Sequence, residues 1–129
     1  MNHEERAAYT VRRLESAKNT LTDAEILFEN QRYRSAVNRI YYATFYAVGA
    51  LALKHGFSTS SHGQLRGYFN REFVKAGIVS VALGKAYGVA FDARTKGDYE
   101  DMVSFEHDEV HALLNDARDL INALALLVE

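Results

Sequence analysis

A chain of 129 residues, 48% hydrophobic and 25% charged, can bury one core without disulfides or metal and is not disordered. It has no cysteine, which excludes disulfides and thiolate metal sites. Fifteen Lys+Arg against 17 Asp+Glu leave a net charge of −2, which argues against a protein that coats nucleic acid by bulk charge.

Proline, the strongest helix breaker, is also absent, so an all-α chain is expected. The opening "MNHEERAAYT" has no apolar signal-peptide core. The longest uncharged run, Ile40 to Leu53, is shorter than the ~20 residues of a membrane span. A single cytoplasmic domain over residues 1–129, with no membrane and no DNA partner, is the expectation.

The first predicted helix runs from about Glu4 to Asn30. Tyr9, Leu14, Ala17, Leu21, Ala24 and Leu27 or Phe28 recur at three- and four-residue steps, with Arg12, Arg13, Lys18, Asn19 and Glu25 facing outward. The second, Tyr33 to Leu53, is apolar on all sides and is predicted to lie at the bundle centre or in a dimer interface. Ala36, Ala43, Ala47 and Ala50 keep one stripe small for close helix approach. Asn38 and Arg39 are the polar exceptions. On a buried helix Arg39 needs a partner, and Asp92 or Asp98 is expected to supply it.

Gly56 marks a helix stop and Ser60 or Ser61 the next N-cap. A third helix, residues 63–77, turns Leu65, Tyr68, Phe69 and Phe73 inward and is closed by Gly77. A fourth, Val79 to Lys96, uses Val81, Leu83, Tyr87 and Phe91 and is ended by Gly97. An acidic connector leads to Ser104 as N-cap of the last helix, which carries Val110, Leu113, Leu114, Ala117, Leu120, Ile121 and Leu124. Short connections between long helices predict an up-and-down bundle of four to five helices.

Few residues carry chemistry. His107 and His111 share a helix face, but Glu109 follows His107 by two residues and the zincin order is absent. A charged first helical turn accounts for them better, and no metal or cofactor is expected. No Glu-x-x-His pairs form a di-iron set, and no phosphate loop or nucleophile triad is present. Tyr41, Tyr42 and Tyr46 are either core or base-stacking residues, with core the more common outcome at helical spacing. His62 opens the third helix, where capping or surface placement would explain it. Arg94 sits in a last helical turn, favoured there by the dipole. With Asp98 and Tyr99 just beyond Gly97, it can equally form one crevice.

The segments "RYRSAVNRIYYATFYAVGALALKHGFSTSSHGQLRGYFNREFVKAG" and "FDARTKGDYEDM", followed by an amphipathic helix, resemble the HEPN superfamily. The match is to bacterial and archaeal HEPN proteins carrying R-x-YYA on the second helix and R-x-x-x-DY after the fourth. It covers nearly the whole chain. The resemblance implies a helical bundle that pairs as a homodimer. In HEPN ribonucleases an Arg and a nearby His from each subunit meet in the dimer cleft and cut RNA without metal. Many are toxins paired with a small nucleotidyltransferase antitoxin, which in some pairs attaches a nucleotide to a tyrosine of the motif. Tyr99 is the nearest match to that tyrosine.

Arg94 matches the family arginine, but Asp98 and Tyr99 stand where the histidine belongs, and the next histidine is His107. A carboxylate can act as a base but repels phosphate. Two functions remain. One is a toxin–antitoxin-type partner of a nucleotidyltransferase, binding RNA or nucleotide through Arg39, His62, Arg94 and Tyr99. The other is a divergent, metal-independent ribonuclease using Arg94 and Asp98, with His62 brought near by the fold.

Overall fold

The computed structural model describes residues 1–129 as five α-helices and no strands. Helix α1 spans His3–Glu29, α2 Tyr33–Lys54, α3 His62–Phe69, α4 Val81–Tyr99 and α5 His107–Val128. A π-helical turn, Asn70–Val74, continues α3. No helix is long and apolar enough to cross a membrane.

Helix α2 is the axis of the bundle. Ala36, Val37, Ile40, Tyr41, Ala43, Thr44 and the run Ala47 to Leu53 are all buried. Helices α1, α5, α4 and α3 all pack on it, α1 most extensively. The alanine stripe Ala36, Ala43, Ala47 and Ala50 is wholly inaccessible, and Ala50 packs with Leu14 of α1 and Ala125 of α5. Of the two expected placements, bundle centre or dimer interface, the buried positions of α2 fit the bundle centre. Between its first turn and Lys54, what stays partly exposed on α2 is a narrower strip of Asn38, Arg39, Tyr42, Phe45 and Tyr46.

The α1–α2 hairpin is reversed by Gln31, whose φ of 61° places a non-glycine residue in the left-handed region. Along α1 the inward position is Thr10, whose hydroxyl donates to the Arg6 carbonyl, and not Tyr9. Tyr9 faces outward under the Arg12 guanidinium, 5.5 Å from its ring centroid. Gly56 and Gly77, with φ of 86° and 81°, end α2 and the α3 extension as expected. Ser61 caps α3 by accepting from the Gln64 N–H, and Ser80 caps α4 by accepting from Leu83.

Three sequence expectations are corrected at the two ends of α4. Val81 is 74% exposed instead of buried, because the apolar face of the first turns is filled by Gly84 and Tyr87. Gly97 does not stop the helix, which continues to Tyr99. It is buried against the Phe105 ring, where an added Cβ would lie 3.2 Å from two ring carbons. Arg34 holds this junction: its guanidinium donates to the carbonyls of Gly97, Glu100 and Val103. With Val103 bound and Phe105 packed inward, α5 starts at Glu106, which caps without a side-chain bond, and not at Ser104.

Arg39 does not pair with Asp92 or Asp98. It donates from Nε and Nη2 to Asn38 Oδ1 at 3.1 and 2.7 Å and lies 5.0 Å from the Tyr42 ring centroid. Its place on the partly exposed strip lets water solvate the charge. Asp92 is taken by Arg66 at 3.2 Å and Asp98 by Arg94. Replacing Arg39 with Ala should therefore cost about 1 kcal/mol or less, read as a small change in thermal midpoint.

Among the glycines Gly84 has the least room: an added Cβ would lie 2.7 Å from Val74 Cγ2 of the π turn. Gly84→Ala should destabilise the native chain by about 1–3 kcal/mol through overpacking. In a Val74→Ala background the same change should stabilise, because it fills the gap and removes a helical glycine worth about 1 kcal/mol. Thermal denaturation of the four chains checks the sign reversal; additive effects would contradict the contact.

Candidate functional site

The site grows from one buried ring. Tyr41 is fully inaccessible at the centre of α2, and its backbone carbonyl accepts from Thr44 Oγ1 at 2.6 Å. Rings from three elements surround it: Tyr42 and Phe45 from α2, His62 from α3, Tyr87 and Phe91 from α4. Burial pushes the Tyr41 phenol up to about 12, so it is neutral at ordinary pH. The Tyr87 hydroxyl beside it is buried without a well-aligned hydrogen bond and is also pushed up by burial.

Arg94 lies on this aromatic bed. Its Cζ is 5.5 Å from the Tyr41 ring centroid and 5.4 Å from that of Tyr42, and Nη2 donates to the Tyr42 hydroxyl at 3.2 Å. Such cation–π seats are worth roughly 0.5–2 kcal/mol each, increasing as water is excluded. Because α4 stays helical through Gly97, Asp98 sits one turn beyond Arg94 on the same face. Arg94 Nε and Asp98 Oδ2 are 2.7 Å apart, with side chains 21% and 35% exposed. The Nε–H is poorly aligned for a hydrogen bond, so the contact is chiefly an ion pair.

The same helical geometry turns Tyr99 about 100° further round, away from Arg94. Tyr99 is 79% exposed. The structure thus joins Arg94 with Asp98 but leaves Tyr99 outside the crevice, and Arg39 reaches the site only through the Tyr42 ring, which it shares with Arg94.

His62 is drawn in. Ser61 takes the capping role, and His62 turns onto the aromatic bed with its ring stacked on Phe45 at 4.2 Å. Its Nδ1 is 2.7 Å from the Tyr41 hydroxyl. Since that hydroxyl stays protonated, it donates to Nδ1, which leaves the proton of neutral His62 on Nε2; the tautomer is assigned from this network. His62 and Arg94 thus touch the same tyrosine. Sequence reasoning identified both residues but missed the seat that joins them, the face of α2 formed by Tyr41, Tyr42 and Phe45. The tyrosine doublet was visible, but not which face met α4.

Where the end of α1 meets the start of α5, His107 and His111 stack 6.0 Å apart, with Phe28 against both. No group of three or more His, Asp or Glu side chains able to hold a metal forms anywhere in the chain. Chemically, the Arg94 site offers a seated guanidinium, a neutral imidazole and an adjacent carboxylate. That set can bind an anion and can move a proton without metal.

The His62 pKa is lowered below 6.5, first by burial and then by the Arg94 charge. The unfolded chain therefore takes up this proton before the folded one. Neutral His62 stabilises the fold fully above 6.5, and that contribution is lost as pH falls through 6.5 toward the folded value. NMR titration should place His62 below 6.5 in the native chain and bring it part of the way back in Arg94→Gln. A titration unmoved by Arg94→Gln would separate the two groups electrically.

A HEPN domain model matches residues 10–127. A UPF0332 protein of Thermotoga maritima is 44% identical over 129 residues, spanning 100% of this chain and 96% of the relative. A protein of Methanocaldococcus jannaschii named "putative toxin" is 30% identical over 109 residues, spanning 84% of this chain and 74% of the relative. A second protein of that organism with the same designation is 36% identical over 86 residues, spanning 67% of this chain and 64% of the relative. The helical bundle, the tyrosine doublet under Arg94 and a domain match over nearly every residue agree: the chain belongs to the HEPN family.

Proposed function

We propose that this protein is a toxin-related HEPN domain, single over residues 1–129, that binds a phosphate of RNA or of a nucleotide at Arg94. The observation that carries this reading is the seating of Arg94 on Tyr41 and Tyr42 beside a neutral His62. A guanidinium fixed on aromatic faces loses little freedom on binding and meets phosphate with two parallel donors. Asp98 occupies Nε in the free protein and acts as an internal competitor that an incoming phosphate must displace. The designation of two relatives as toxins favours the toxin-related role.

The working assembly in this reading is a cytoplasmic homodimer closed across the first part of the partly exposed α2 strip, Asn38, Arg39 and Tyr42, bringing two Arg94 sites to one cleft. Light scattering at micromolar concentration should give twice the chain mass; a monomer would sink the assembly. A nucleotidyltransferase-domain protein is the proposed partner, and exposed Tyr99 the side chain open to nucleotide attachment. Co-incubation with such a partner and ATP should add nucleotide mass to the native chain and not to Tyr99→Phe.

A second reading is favoured by one observation: Arg94 and His62 contact the same Tyr41 ring, so an Arg/His pair exists in space although absent in sequence. The protein would then be a divergent ribonuclease using Arg94 with His62 or Asp98 as base. Binding titrations with short RNA and with ATP, and RNA incubation in EDTA, test both. Arg94→Gln should weaken binding by about tenfold or more, the loss of a charge-assisted phosphate contact. Asp98→Asn should tighten it by removing the competing charge. RNA cut in EDTA and lost in His62→Gln or Asp98→Asn would establish the ribonuclease, and identical binding curves would remove the phosphate site.

A further inference from the structure

We propose that the cleft on the far side of His62 is a second phosphate subsite, which holds the next nucleotide unit of the ligand bound at Arg94. The cleft measures about 440 Å³, the size of a mononucleotide, and opens between α1, α2 and the loop that leads into α3. Arg13, Ser16, Tyr46, Ser58, Ser60 and His62 face it, and no carboxylate is among its lining residues. In a chain with 17 Asp and Glu, a concave surface with one guanidinium, one imidazole and no acid is selective for an anion.

The donors are uncommitted. Arg13 forms no ion pair; its one protein hydrogen bond, from Nη1 to the Gly49 carbonyl, is long at 3.5 Å. The hydroxyls of Ser16, Ser58 and Ser60 and that of Tyr46 make no hydrogen bond within the protein. Thr59 differs: its hydroxyl donates to Gln64 and accepts from the Ser61 N–H, so it holds the loop in shape. Phosphate requires several converging donors, and a base requires a flat face, which the Tyr46 ring supplies.

His62 links the two places. Its Nδ1 accepts from Tyr41, beneath Arg94, while the residue also lines the cleft, leaving Nε2–H as the donor without a protein partner. A strand of two nucleotides passing His62 would set one phosphate at Arg94 and another at Arg13. The inference rests on the phosphate-binding reading of Arg94 and extends it by one unit.

The test uses the full chain and diadenosine dinucleotides carrying no terminal phosphate, a 5′-phosphate or a 3′-phosphate, with affinities measured by calorimetry. One phosphorylated form should bind about tenfold more tightly than the plain dinucleotide. Arg13→Gln should erase that difference, as should Ser58→Asp, which puts a like charge at an exposed position that cannot unfold the core. Arg94→Gln should weaken all three probes alike. If the three probes bind the native chain equally while Arg94→Gln weakens them, the Arg94 reading stands and the second subsite is overturned. If none of the probes binds, both fall together.

Discussion

The structure depends on one constraint: a 22-residue helix, α2, that is apolar around most of its circumference must be removed from water within a chain of 129 residues. Four other helices are deployed to do it. Alanines at Ala36, Ala43, Ala47 and Ala50 bring neighbouring backbones close, and the glycine at Gly84 does the same between α4 and the π turn. Close approach of this kind leaves Tyr41 at the point where three elements converge. The aromatic bed of the site is thus a product of packing.

That bed explains how an acidic protein holds a guanidinium on a partly buried face. Arg94 is held by the faces of Tyr41 and Tyr42, by one hydroxyl and by one carboxylate, all supplied within a small volume of low water content. The same environment lowers the His62 pKa and raises that of Tyr41, chiefly through burial.

A second arginine, Arg34, determines where the Arg94 turn ends. By donating to three carbonyls it satisfies the last turn of α4 and pins the connector, and Phe105 closes against the bare face of Gly97. The helix therefore continues to Tyr99 and divides the motif into an inward Arg94–Asp98 pair and an outward tyrosine.

By itself the sequence determined an all-α bundle of four to five helices, the buried α2, and the glycine stops at Gly56 and Gly77. These follow from hydrophobic period, from capping chemistry and from the absence of proline, all of which act within a few residues. Arg94 and His62 were legible as candidates for the same reason, each standing beside a helix end. Only the tertiary structure decided their company. That His62 reaches Tyr41, that Arg39 turns to Asn38 instead of Asp92, and that Gly97 packs on Phe105 are contacts between residues far apart or on faces set by neighbours. A glycine in a helix reads as a stop when its neighbours are unknown. It reads as a packing surface once an aromatic ring is seen to rest on it, because the energy that selects it there comes from the ring and not from its own backbone.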